Sequence, residues 1–205
     1  MCLNVVLYWI VGTRPKLLLG SFGLCMINDD YNYSGLGSLC PGVPILSEEG
    51  GMTLSVSSVA FQEGETIPIQ YTCEGQDISP PLGWSELPKE TQSLALVMDD
   101  PDAPGGVFTH WVLFNIPADS HELPEAVPTH AELPSGALQG KNDFGRIGYG
   151  GPCPPSGRPH RYQFTLYALD QPLDLTAGVS KRQLLGAMQG HILAQGRLTG
   201  IYQRY

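Results

Sequence analysis

Three short segments of the chain place titratable side chains among residues that stiffen a backbone. The first is Met98-Asp99-Asp100-Pro101-Asp102-Ala103-Pro104, at the end of an apolar run. Three carboxylates beside hydrophobic core cannot all be buried and ionised, because each would lose its hydration with nothing to replace it. Each needs donors or a cleft; for Asp99 a solvated turn or a structural hydrogen bond is enough. The second segment is Phe108-Thr109-His110-Trp111, where a histidine opens a strongly apolar strand. The third runs from Gly148 to Tyr162 as GYGGPCPPSGRPHRY. Its glycines permit close backbone approach and its prolines hold the loop stiff. His160 and Tyr162 alternate with Arg161, so on a strand they share one face and Arg161 takes the other. Two histidines and two aspartates would serve a hydrolytic or metal site, or, with donors added, a receptor for a small anion.

These groups must be positioned by a β-rich scaffold. Thr53–Val59 alternates apolar and small polar residues, as a half-buried strand does, and Thr66–Thr72 (TIPIQYT) predicts a second strand, placed at an edge by Pro68. Ser93–Met98 (SLALVM) is a continuous apolar run of the kind buried between two layers, and His110–Ile116 and Tyr162–Leu169 are further strands. Pro117–Gly151 is a long connection rich in turn formers. A helical period appears only late: Ser180 caps a helix in which Leu184, Leu185, Met188 and Ile192 recur at helical spacing, Gly196 ends it, and Leu198–Tyr202 returns to strand. Strands first and a helix last predict a mainly β fold, a sandwich of two antiparallel sheets with a C-terminal helix.

Composition narrows the function classes. With 25 glycines and 18 prolines in 205 residues, a helical bundle is excluded. The net charge of −9 and the lack of any basic run argue against a nucleic-acid surface or an anionic-membrane surface. No CxxC pair occurs, so a zinc ribbon or thioredoxin-type site is not expected, and the five cysteines are read as free thiols of a reducing compartment. Residues 1–51 read differently from 52–205. Met1–Gly12 is apolar, too short to span a bilayer, and followed rather than preceded by basic residues. The expectation is an unstructured extension or mis-assigned leader over 1–51 and a domain over 52–205. The protein would then be cytoplasmic, or periplasmic if 1–51 is a targeting segment.

Taken in order, DDPDAP, FTHWVLFNIP and GYGGPCPPSGRPHRYQFTLYALD resemble successive signatures of the phosphatidylethanolamine-binding (Raf kinase inhibitor-like) family, in its bacterial and archaeal branch. Tyr71–Trp84 and Gly190–Tyr202 are similar to that branch as well, so the likeness covers essentially all of 52–205. The resemblance implies two antiparallel sheets and a small surface pocket. Its lining would be Asp100, Asp102, His110, Gly151, Pro152, Cys153, Pro154, His160 and Tyr162. Trp84 and Phe108 are candidates to wall the mouth, and Trp111 reads as core. His121 and His130 are expected to be exposed, and His191 packed or capping.

An adjacent carboxylate favours a cationic imidazole. The expectation is therefore that Asp100 and Asp102 orient and charge His110 and His160. The imidazoles, the Tyr162 hydroxyl and the N–H groups of Gly151 and Cys153 would then donate to phosphate, phosphoethanolamine or a carboxylate. Affinity would weaken as pH rises. No catalytic residue, metal or cofactor is expected, since Cys153 lies between prolines without an evident base. The ranking is a binding module first, then a regulatory protein that inhibits a kinase or protease by contact, and an enzyme last. Stable membrane insertion is not expected, and a homodimer is compatible with the reading.

Overall fold

The structure is a computed structural model that describes residues 54–205 and, before them, only the backbone of two short strands. Those strands, β1 (Leu17–Gly20) and β2 (Gly23–Met26), pair antiparallel within a separate unit, Met1–Ile45. The leader or extension expected for 1–51 otherwise falls outside the described residues.

The main unit holds two antiparallel sheets. The larger is ordered β10 (Ile192–Tyr202), β9 (His160–Leu169), β5 (Ser93–Asp100), β6 (Phe108–Pro117) and β8 (Leu138–Gln139). The smaller is β3 (Ser55–Ser57), β4 (Leu82–Ser85) and β7 (Glu122–Leu123). Leu96, Met98, Trp111, Leu113, Phe164 and Leu166 fill the space between the sheets with Leu82 and Trp84. The opposite face of β5 and β6 presents Ala95, Val97, Val112 and Phe114 to Leu184 and Met188 of helix α1 (Lys181–Met188). Strand β5 is thus covered on both faces, which explains why its sequence is a continuous apolar run rather than an alternation.

Two expected elements differ. Thr66–Thr72 is not a strand: Ile69–Tyr71 forms one turn of 3-10 helix after Pro68, and Thr66 alone makes a bridge, to Ile201. Proline fixes φ, here −57°, and donates nothing to a ladder, so the strand pattern is overruled there. The C-terminal helix is also shorter than its apolar period. It stops at Met188; Gly190, at φ +82°, turns the chain, and Ile192 already opens β10 instead of closing the helix.

The helix start agrees with its sequence. Ser180 Oγ accepts from the Gln183 N–H, and Gln183 Oε1 accepts from the Ser180 N–H at 3.0 Å, a reciprocal capping box. Ser180→Ala removes one half of it and is expected to cost about 1 kcal/mol in urea unfolding, with no change in ligand affinity.

Candidate functional site

The site is built where β5, β6 and β9 end side by side. On β9, alternation sends His160, Tyr162 and Phe164 inward and leaves Arg161 exposed. On β5, Met98 and Asp100 share the inner face while Asp99 points outward. There Asp99 accepts from Lys181 Nζ of α1 at 2.6 Å and from Thr109 Oγ1 at 3.1 Å, a structural role.

Strand β6 needs an irregularity to join them. Trp111 pairs with Met98 and Thr109 with Asp99, so His110 is an extra residue with no partner on β5. Strict alternation from Trp111 and Leu113 would turn His110 toward the helix. The bulge instead brings its ring 5.2 Å from that of Tyr162, edge to face, on the inner side. Phe108 and Phe144 complete an aromatic enclosure, with ring centroids 5.1 and 5.2 Å from His110.

Asp100, His110, His160 and Tyr162 are each at least 97% buried, so the hydrogen bonds of every one matter. Asp100 Oδ1 accepts from the Asp102 N–H at 2.8 Å, and its Oδ2 accepts from His160 Nδ1 at 2.7 Å. A carboxylate only accepts, so His160 carries its proton on Nδ1. His110 Nδ1 donates to the Gly150 carbonyl at 2.7 Å, and the Gly150 N–H returns a bond to the His110 carbonyl at 3.0 Å. Burial lowers the His110 pKa against the opposing pull of that carbonyl and of Asp100, which favours the neutral ring. Among the described residues neither ring's Nε2 has a protein partner. Burial, with the negative charge of Asp100 beside it, pushes the Tyr162 phenol up, so it stays a neutral donor. Its hydroxyl faces the Asp100 carboxylate and the Cys153 backbone, but neither comes within hydrogen-bonding distance and angle.

Several expectations are corrected by this geometry. Asp102 charges neither histidine. It is gripped from outside by Arg161, with Nε to Oδ2 at 2.9 Å and Nη2 to Oδ1 at 2.8 Å, which holds its carboxyl well below the usual range. The Gly151 N–H is not free for a ligand, because it donates to Asp77 Oδ1 at 2.6 Å. A Cβ at Gly151 would stand 2.4 Å from the Tyr71 carbonyl, so only glycine fits there. Cys73 and Cys153 are not free thiols but form a disulfide, with Cα atoms 5.4 Å apart. Trp84 is core and donates to the Ser120 carbonyl, away from the histidines.

Of the nine residues expected, Asp100, His110, His160 and Tyr162 converge, and the 151–154 loop passes beside them. Asp102 braces the turn from outside. Trp111 is core, His121 and His130 are exposed, and His191 pairs with Asp170. Reasoning from sequence missed Phe144, Asp77 and the bulge; only the cysteine pair, the two outside residues 1–40, carried a readable signal. Two clefts, of about 470 and 340 Å³, include none of the nine. Among the described residues no helix is long and apolar enough to cross a membrane.

Comparison with known proteins agrees with the fold and the motifs. The sequence profile of the phosphatidylethanolamine-binding protein family matches residues 57–203. A UPF0098 protein of Methanothermobacter thermautotrophicus is 55% identical over 151 residues, covering 74% of this chain and 99% of its own. One from Aquifex aeolicus is 50% identical over 171 residues, covering 82% and 99%. Among solved structures, a phosphatidylethanolamine-binding protein homologue of Chlamydia trachomatis superposes with a TM-score of 0.69 at 42% identity, over 75% of this chain and 99% of that one. Escherichia coli YbcL, described as a member of the mammalian family, gives 0.69 at 38% identity, over 74% and 99%. The chain belongs to the phosphatidylethanolamine-binding protein family.

Proposed function

We propose that the protein binds a small oxyanion, a phosphate, phosphonate or phosphorylated head group, and holds it without turning it over. One observation carries this reading: the buried Tyr162 hydroxyl has no partner, an arrangement that costs free energy unless something else accepts its proton. A ligand oxygen does so, with the Cys153 N–H as a second donor alongside. Asp100, His110, His160 and Tyr162 are all buried, so on this reading a single oxygenated group reaches the Tyr162 hydroxyl while the rest of the ligand stays outside.

The two imidazoles give the site its proton dependence. Each has committed its Nδ1–H to a protein acceptor, so a neutral ring offers a lone pair at Nε2. A neutral His110 Nε2 repels a dianion and accepts from the P–OH of a monoanion. Binding therefore weakens as pH rises, and the proton concerned is the ligand's. For a phosphomonoester the midpoint is expected near its second ionisation, about pH 6. A methylphosphonate, which ionises later, should move that midpoint upward by the difference between the two. Phosphorus and proton NMR titrations at several pH values read both. Unaltered phosphate binding in a His110→Ala, His160→Ala double variant would sink the assignment.

A further inference from the structure

We propose that the Cys73–Cys153 disulfide is a thiol-exchange site that sets the geometry of the oxyanion loop. The proposal rests on the binding reading for its ligand effect but not for its chemistry. Both cysteines are exposed, although the residues around them, Thr72, Pro152 and Pro154, are buried. A dithiol can therefore reach the sulfurs without the domain opening.

The other anchors of this loop all lie on one side of Cys153. Tyr149 Oη donates to the Tyr71 carbonyl at 2.7 Å, the Gly151 N–H to Asp77, and the Cys73 N–H to the Pro152 carbonyl at 3.1 Å. Beyond Cys153 the next tie is the Gly157 N–H to the Arg204 carbonyl at 3.2 Å. Among the described residues no hydrogen bond to another segment holds 153–156. The disulfide, joining points 80 residues apart in sequence, is the tether of the stretch that passes the Tyr162 hydroxyl. Breaking it frees Cys153–Ser156 while Tyr149–Pro152 stay fixed.

The exchange is a two-electron step. One thiolate of a dithiol attacks a sulfur of the pair and releases the other cysteine as thiolate. The second sulfur of the reagent then closes on the first and frees the remaining cysteine. The dithiol becomes a cyclic disulfide, and its two protons end on Cys73 and Cys153.

The test uses the full chain with Cys2→Ser, Cys25→Ser and Cys40→Ser, so that any thiol counted comes from this pair. With excess dithiothreitol, two thiols are expected to appear while the circular dichroism stays native, and oxidised glutathione should remove them. The backbone NMR order parameters of Cys153 and Ser156 should fall below about 0.6, the flexible range, with those of β5 and β9 unchanged, and inorganic phosphate should bind about tenfold more weakly. A Cys73→Ser, Cys153→Ser variant should reproduce the reduced state. A pair that resists dithiothreitol until the sheets melt, or a reduced loop with unchanged order parameters, would overturn the proposal. Phosphate silent in both states would overturn the binding reading alone, since thiol count and order parameters still decide this one.

Discussion

Asp100→Ala is expected to destabilise the domain by about 3 kcal/mol and to abolish measurable phosphate binding. The carboxylate is 3% exposed and holds two groups that have nowhere else to go, the Asp102 N–H and His160 Nδ1–H. Truncation leaves both unpaired in a buried site, the case in which breaking a buried pair costs most. The functional loss follows from the same bonds. His160 is aimed by Asp100, and the Asp100–Asp102 turn is latched onto β9 through Arg161. Asp100→Asn separates the two effects. Its amide oxygen still accepts from the Asp102 N–H, but its NH2 faces His160 Nδ1 and forces the proton to Nε2. Most of the stability should return, while His160 becomes a donor and the preference for a protonated ligand weakens. Urea unfolding and phosphate titration of the two variants measure this; equal stability of Asp100→Ala and the parent would refute the account.

Where local chemistry dominates, sequence patterns suffice to locate the parts. Strands β5, β6 and β9 are legible because burial imposes their apolar runs and alternation, and Ser180 announces its helix through its own side chain. The grouping of Asp100, His110, His160 and Tyr162 was legible only through ordered motifs, because each residue taken alone also fits a core or turn role. What stayed hidden depends on pairing across the chain. The bulge at His110 exists only relative to β5, so no periodicity within β6 reveals it. Asp77 sits 74 residues from the Gly151 N–H that it captures, and Arg161 lies 59 from Asp102. The mistaken strand at Thr66–Thr72 has a different cause: its β-propensity is genuine, but one proline and the close packing of Gly75 against Ile69 outweigh it.

Tyr162→Phe should separate stability from function with opposite signs. In phosphate-free buffer the variant is expected to be more stable than the parent by about 1 kcal/mol, because it removes a buried donor with no acceptor and keeps the ring that packs against His110. Phosphate affinity should fall at least tenfold, the value of one hydrogen bond to a charged oxygen, about 1.5 kcal/mol or more. Mass action then makes the two effects visible in one measurement. A ligand at a hundredfold excess over its dissociation constant stabilises the parent by about 2.7 kcal/mol. The same concentration is only tenfold in excess for the variant and stabilises it by about 1.3 kcal/mol less. Thermal melts with rising phosphate should therefore begin with the variant ahead and end with the parent level or ahead. Curves that run parallel would mean that the hydroxyl never meets the ligand. The strained donor would then be a structural defect with no part in binding, and the case for an oxyanion site would lose the observation that carries it.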